Sequence, residues 1–155
     1  AIHLDAVLET CQAAYPMLQE SQGRIVLLST VGSHAALTGF AAVGAAKAGL
    51  ESLLQYMASE WIRTGVRVNA VSCGTVDTGN LERWAIGPKV RAFVQKKTTG
   101  LGIAKPDSVS PIVAFLAATE SRYIVGQSVV ADGGMTLGID FEEWVHEIYG
   151  KDARL

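Results

Sequence analysis

The chain has 155 residues, of which 49% are hydrophobic and 18% charged, a composition that supports one folded domain and excludes a disordered protein. Its net charge of -2, without a Lys/Arg cluster, excludes a basic patch for nucleic acid or an anionic membrane surface. Cys11 and Cys73 are isolated and lack metal-ligand spacing, which predicts free thiols in a reducing, cytoplasmic compartment and no metal site.

A helix and a buried strand are predicted at the start of the chain. Apolar residues recur at helical spacing between Leu4 and Leu18 and predict an amphipathic helix over residues 2–20. Pro16 lies in its last turns and is expected to end or kink it. The Ile- and Val-containing apolar run within residues 24–29 then predicts a buried strand.

A second helix and a second strand follow. Residues 39–63 form a predicted helix whose Ala- and Gly-rich face is unusually small, so another helix or a ligand could approach it closely. Gly65 is expected to end this helix because glycine readily adopts the left-handed conformation found at helix C-termini. Residues 66–72 are mostly apolar and predict the second strand.

A loop and a long polar excursion come after the second strand. The loop over residues 73–78 lies at the strand's carboxyl end. Residues 80–99 are polar and predict two short helices broken at Gly87-Pro88. A long insertion beyond a strand end is typical of a lid over a site.

The chain closes with a helix, a strand, a turn and another helix. Residues 106–119 predict the third long helix, and residues 128–131 a short apolar strand that turns away at Asp132-Gly133-Gly134. Residues 141–149 predict an amphipathic helix carrying Trp144, which we expect to pack on a partner.

The alternation of helices and strands predicts an α/β fold. We expect a parallel sheet of three strands with right-handed crossovers and with helices flanking both faces. The first strand would carry an unpaired edge. Ligands of open α/β sheets bind beyond the carboxyl ends of the strands, so we expect the site at the loops that follow the first two strands.

Four segments carry a resemblance to a known family. In order and spacing, GRIVLLST, VGAAKAGLESL, GVRVNAVSCGTVDT and VGQSVVADGG resemble the second half of a short-chain dehydrogenase/reductase, closest to the enoyl-acyl-carrier-protein reductase branch. The resemblance implies a Rossmann-like fold whose N-terminal strands are missing, with residues 1–138 as its C-terminal half and residues 139–155 as a helical extension. No Gly-rich dinucleotide turn such as GxGxxG occurs, so either the N-terminal half is absent from this chain or another chain supplies it.

The family transfers a hydride between a nicotinamide cofactor and a carbonyl or an activated alkene, with a Tyr as acid. A phenol has an unperturbed pKa of about 10, which a neighbouring Lys lowers. Lys47 matches that Lys, which also holds the nicotinamide ribose, although it could be a solvated helix residue. The Tyr position is Phe40 with the enoyl-reductase spacing and Val43 with the ordinary spacing, and neither can donate a proton.

Three further positions bear on catalysis. Thr30 matches the family Ser that hydrogen-bonds the substrate oxygen, or it caps the end of its strand. His3 falls where the family has an Asn that orders a water in a proton relay, which is a second departure from the pattern. His34 is the candidate for a replacement donor, or it is a solvated loop residue.

The loop after the second strand matches the family's nicotinamide-binding loop. Gly74 would let the backbone approach the cofactor, Val76 would offer backbone groups to the carboxamide, and Thr78 would offer its hydroxyl. The alternative is a Gly/Thr turn that simply ends the strand. Nothing near Cys73 in the sequence supports a nucleophilic role.

The resemblance leaves three functions open. The absent Tyr and Gly-rich turn favour a degenerate, non-catalytic subunit that pairs with itself or with an active homologue of an oxidoreductase complex, through the helices at 2–20 and 39–63. The alternative is the C-terminal part of an active reductase acting on a carbonyl or enoyl thioester with another acid. A third is a binding module without turnover under the lid at 80–99. The cofactor is NAD or NADP, if this chain binds one.

Overall fold

The computed structural model describes residues 3–37, 39–98, 101–137 and 141–151. These ranges hold five α-helices and three β-strands, joined in part by short 3₁₀ turns. In chain order the elements are α1 (Asp5–Ser21), β1 (Arg24–Thr30), α2 (Ala41–Trp61), β2 (Arg67–Cys73), α3 (Gly87–Lys97), α4 (Pro106–Ala117), β3 (Ser128–Ala131) and α5 (Phe141–Tyr149).

The three strands form one parallel sheet in the order β1-β2-β3, as predicted. Residues Arg24 to Thr30 pair in register with Arg67 to Cys73, so β1 and β2 end level with each other. β2 is central and almost wholly buried. Within the described ranges β1 pairs with β2 alone, which confirms the predicted unpaired edge.

Helices cover both faces of the sheet. On one face, α1 and α2 pack on β1 and β2 through a buried cluster that includes Cys11, Leu27, Leu50, Leu54, Met57 and Val68. On the other face, α4 contributes Val109 and Leu116 around Val71 of β2. At the edge, Leu28 is left 55% exposed.

Pro16 does not end α1, which continues to Ser21. Proline removes one hydrogen bond to the carbonyl four residues earlier, here that of Gln12. Both Pro16 and Gln12 lie on the exposed side of the helix, where water can bond the released carbonyl.

The polar excursion is a 3₁₀ turn, Leu81–Arg83, followed by α3. The two segments are separate, as predicted, and Gly87-Pro88 begins the second one, because proline lacks an N–H that the first turn of a helix does not use. Glycine is required at position 87, where a Cβ would lie 2.0 Å from the Leu81 carbonyl oxygen.

The C-terminal helix packs within its own chain, so the expectation that it packs on a partner was wrong for its buried face. Val145 and Ile148 of α5 are buried beside Phe93 of α3 in a third cluster. The side chain of Trp144 lies outside what the structure describes. The amphipathic pattern of α5 was correct, but the apolar surface that it covers belongs to α3 and the neighbouring loops.

Candidate active site

A cavity of about 510 Å³ opens at the carboxyl ends of β1 and β2, where the topology predicts a ligand site. Its volume falls within the range of small-molecule and cofactor sites, roughly 300–1,000 Å³. The cavity is lined by Thr30, Val31, Leu37, Gly39, Phe40, Val43, Gly74, Thr75, Val76, Thr78, Asn80, Leu81, Trp84, Ile86, Val90, Met135 and Tyr149. The lining is mostly apolar, with a few hydroxyl, amide and indole groups.

The loop between β1 and α2 forms one wall of the cavity and fits tightly against α2. A Cβ on Gly44 would lie 2.5 Å from the Gly32 carbonyl oxygen, and a Cβ on Gly32 would lie 2.7 Å from the Phe40 ring. The small residue at position 44 therefore serves the approach of this loop. The glycine at position 44 is thus explained by this loop, and not by the predicted approach of another helix or a ligand.

Thr30 lies at the end of β1 with its hydroxyl available to a ligand. Its Oγ1 accepts a hydrogen bond from the Gly32 N–H at 3.4 Å, which leaves the hydroxyl hydrogen free to be donated. The carboxylate of Glu51 in α2 accepts hydrogen bonds from the hydroxyls of Ser29 and Ser33, the latter at 2.8 Å. These bonds tie the end of β1 and its loop to α2.

Lys47 does not line the cavity. Its Nζ donates a hydrogen bond to the Leu28 carbonyl oxygen at 2.7 Å, so the amine lies beside the edge strand. Burial lowers the pKa of Lys47, an effect that the neighbouring Cys73 partly opposes. Burial likewise raises the pKa of Cys73, with Lys47 acting in the other direction, which keeps this free thiol away from the reactive thiolate form.

The loop after β2 brings Gly74, Val76 and Thr78 to the cavity together. Val76 forms a parallel β-bridge with Ala104, and the Asp77 N–H donates to the Ala104 carbonyl at 2.7 Å. The bridge holds the loop extended along the cavity wall, with the Thr78 side chain exposed at its far end.

The glycine at position 74 is explained by its contact with the turn after β3. A Cβ there would lie 2.8 Å from the Asp132 Cβ. Burial alone would raise the pKa of Asp132, but hydrogen bonds from Thr136 and from the Gly134 N–H outweigh it and lower the pKa. The charged carboxylate therefore holds this turn together.

Neither histidine proposed from the sequence reaches the cavity. His3 is exposed in the turn before α1. His34 lies in a neighbouring groove of about 330 Å³, with its Nδ1 3.1 Å from the Ser33 Oγ. Phe40 lies between the two, because its ring lines both the groove and the main cavity.

The excursion at residues 80–99 lines the cavity, as its prediction as a lid implied, but sequence reasoning missed the contributions of the turn after β3 and of α5. Trp84 and Val90 come from the excursion after β2, Met135 from the turn after β3, and Tyr149 from the end of α5. One signal for Tyr149 was present, since it lies one helical turn after the buried Val145 and therefore near the inner face of α5.

Two classes of feature do not occur among the described residues. No three His, Cys, Asp or Glu side chains in those ranges are grouped so that they could hold a metal ion. No helix there combines the length and the hydropathy that crossing a bilayer requires.

Comparison with known proteins finds a matching family model and relatives of similar sequence. The family model described as enoyl-(acyl carrier protein) reductase matches residues 1–136. A tropinone reductase homologue of Arabidopsis thaliana is 32% identical over 136 residues, covering 87% of this chain and 42% of the relative.

Solved structures agree with this assignment. A short-chain dehydrogenase/reductase of unknown function from Caenorhabditis elegans, determined with cofactor, has a TM-score of 0.78 and 33% identity over 88% of this chain and 54% of that chain. A 4-hydroxyisoleucine dehydrogenase complexed with NADH has a TM-score of 0.79 and 26% identity over 89% of this chain and 58% of that one. The chain spans about half the length of these relatives. It belongs to the short-chain dehydrogenase/reductase family, of which it carries the C-terminal half of the Rossmann-like fold.

Proposed function

We propose that this chain forms the substrate and nicotinamide end of an NAD(P)-dependent reductase that acts on a small apolar carbonyl compound. One observation carries the proposal. Thr30 and the three loop residues Gly74, Val76 and Thr78, which the family resemblance assigns to the substrate oxygen and the nicotinamide, all line one cavity at the carboxyl ends of adjacent parallel strands.

The cavity supports both the nicotinamide and the apolar substrate of this proposal. The exposed Thr78 hydroxyl and the backbone of the extended loop can hydrogen-bond a carboxamide, and a volume of about 510 Å³ accommodates a nicotinamide ring beside a small substrate. The surrounding Leu37, Leu81, Ile86 and Val90 favour an apolar substrate. A solved relative bound to NADH supports a nicotinamide cofactor. Its phosphate end would be held by a Gly-rich turn on another polypeptide segment, since this sequence contains none.

Reduced nicotinamide mononucleotide tests this proposal because it contains the nicotinamide end alone. We expect saturable binding to the 155-residue chain, seen as enhanced nicotinamide fluorescence, with NADH binding little more tightly. Thr78→Val should weaken binding several-fold, whereas Thr10→Val, on the exposed side of α1, should not. Reduction of cyclohexanone by either nucleotide would support the reductase assignment. Absence of both nucleotide binding and ketone reduction would refute it.

A non-catalytic subunit that pairs with itself or with an active family member is the second candidate. Two observations favour it: Phe40 packs its ring on Gly32 where an acid was expected, and Lys47 bonds the Leu28 carbonyl outside the cavity. This candidate predicts no turnover by the unmodified chain, and co-purification with an active homologue. If Phe40→Tyr creates reductase activity in an otherwise inactive chain, only the acid was lost.

A further inference from the structure

The cavity contains a phenol that comes from the far end of the chain. Tyr149, the last residue of α5, lines the cavity together with Phe40 and Val43, the two positions at which the family acid was expected. A Cβ built on Gly39 would lie 2.7 Å from the Tyr149 hydroxyl oxygen, so this hydroxyl lies beside the residue that precedes Phe40.

Among the described side chains that line the cavity, Tyr149 is the best proton donor. The lining contains no Asp, Glu, His, Lys or Cys within the described ranges. The remaining polar groups are the hydroxyls of Thr30, Thr75 and Thr78, the amide of Asn80 and the indole of Trp84. These groups donate hydrogen bonds but do not ionise as a phenol does. Among the described residues, Tyr149 is therefore the candidate for an acid inside this cavity.

The helix that carries Tyr149 is held against α3 by packing and by polar contacts. Val145 and Ile148 are buried in the cluster beneath the cavity, and Lys89 of α3 donates to the Ile148 carbonyl at 3.3 Å. Lys96 of α3 binds Glu147 of α5 at 2.6 Å. A side chain held on a packed helix meets the requirement that a reacting group be positioned before the substrate binds.

We propose that Tyr149 is the acid of this site, replacing the phenol that Phe40 and Val43 lack; the proposal rests on the reductase function above. Its hydroxyl hydrogen-bonds the oxygen of a carbonyl compound in the cavity. Reduced nicotinamide, when bound, supplies the hydride that forms the new C–H bond at the carbonyl carbon. The electron pair of the C=O double bond moves to oxygen, the O–H bond of Tyr149 breaks, and the alcohol O–H bond forms. The phenolate then regains a proton from water, which reaches it because Tyr149 is 39% exposed.

The first experiment detects the contact without catalysis. The chain has four Tyr, so 3-fluorotyrosine labelling gives fluorine NMR signals that Tyr→Phe variants assign. Cyclohexanone should shift the Tyr149 signal saturably and leave that of Tyr123, which is 99% exposed, unchanged. Failure to shift the Tyr149 signal, either because the ketone does not bind or because it binds elsewhere, would overturn the proposal.

The second experiment measures the proton transfer. Tyr149→Phe keeps the ring and removes the hydroxyl, so kcat for cyclohexanone reduction should fall about 100- to 10,000-fold, the usual contribution of a general acid, with KM changing far less. Tyr123→Phe should retain the full rate. An unchanged kcat in Tyr149→Phe would refute the acid role while leaving the reductase function intact. If no ketone is reduced and neither nucleotide binds, the reductase function fails, and the fluorine signal still decides whether Tyr149 binds a carbonyl oxygen.

Discussion

At the scale of single residues, two arginines at paired positions have opposite environments. Arg67 on β2 is 6% exposed, and its guanidinium donates to the carbonyls of Ser121 at 2.9 Å and Ala118 at 3.0 Å. Burial lowers the pKa of Arg67, with a smaller effect from Arg24. Arg24, its partner in the register of β1, is exposed and donates to the Thr119 hydroxyl at 3.3 Å.

We predict that Arg67→Met lowers the free energy of unfolding by about 2–4 kcal/mol, because several carbonyls lose a buried donor while the side chain keeps its length. Arg24→Met should change it by less than about 0.5 kcal/mol, as is usual for an exposed residue. Urea denaturation of both variants measures the difference. Equal effects would show that the bonds of Arg67 do not stabilise the connection between α4 and β3.

Positions in the cavity were predictable from the sequence only for residues that follow the strand ends. Thr30, Val76 and Thr78 line the cavity, as expected from loops at the carboxyl ends of adjacent strands. Lys47 and Tyr149 were not predictable in this way. The direction of the Lys47 amine depends on the carbonyl groups of β1, and the position of Tyr149 depends on packing between α5 and a loop far away in sequence.

At the scale of elements, charged pairs attach α5 to α3. Lys96 binds Glu143 at 2.9 Å and Glu147 at 2.6 Å, and Lys97 also binds Glu143. Hydrogen bonds from Lys97 and then Lys96 lower the pKa of Glu143. Hydrogen bonds to Glu147 and Glu143 raise the pKa of Lys96 to about 12. The pairs hold the helix that carries Tyr149.

The pH dependence of this attachment follows from the lowered pKa of Glu143 and the raised pKa of Lys96. Because its pKa is lowered, Glu143 contributes to folding stability. The contribution is complete above the ordinary pKa of 4.5 and is lost as pH falls below that value. Because its pKa is raised, Lys96 also contributes to folding stability. This contribution is complete below the ordinary pKa of 10.5 and is lost as pH rises towards about 12. The attachment is therefore strongest between these limits.

We predict that the double variant Lys96→Met/Lys97→Met speeds amide hydrogen exchange in α5 at pH 7 and leaves α2 unchanged. High salt should do the same to the unmodified chain, because exposed ion pairs are screened. Arg63→Met/Arg122→Met removes two exposed cations elsewhere and is the matched control. Unchanged exchange in α5 would mean that the buried Val145 and Ile148 hold the helix alone.

The elements themselves were largely predictable, and the errors have local causes. The pattern of apolar residues located four helices and the three strands to within a few residues, and Gly87-Pro88 in the polar excursion located the start of α3. The one error at a proline was the expectation that Pro16 could end α1, since the helix continues to Ser21. Pro16 is tolerated on the exposed side of α1, and Pro88 is accommodated in the first turn of α3.

At the scale of the whole molecule, the topology followed from the order of elements, and β1 forms one edge of the sheet. Within the described ranges β1 has β2 as its sole strand partner. Val26 packs on the α4 side of the sheet, and Leu28, two residues on, faces the same way. Leu28 is nevertheless 55% exposed, so an unpaired edge carries an uncovered apolar side chain.

We predict that the isolated chain self-associates through this edge. Apart from the Leu28 carbonyl, which accepts from Lys47, the outer backbone groups of β1 have no strand partner in the described ranges, and such groups beside exposed apolar surface favour pairing with another strand. Sedimentation velocity should show an average mass that rises with protein concentration. Leu28→Lys should suppress the rise, since charged residues on edge strands oppose edge-to-edge pairing. Tyr123→Lys places the same charge at an exposed aromatic residue outside β1 and should leave the association unchanged. If both variants associate as the unmodified chain does, the association uses another surface, and a chain that stays monomeric at all concentrations would show that this edge does not recruit a strand from a second copy.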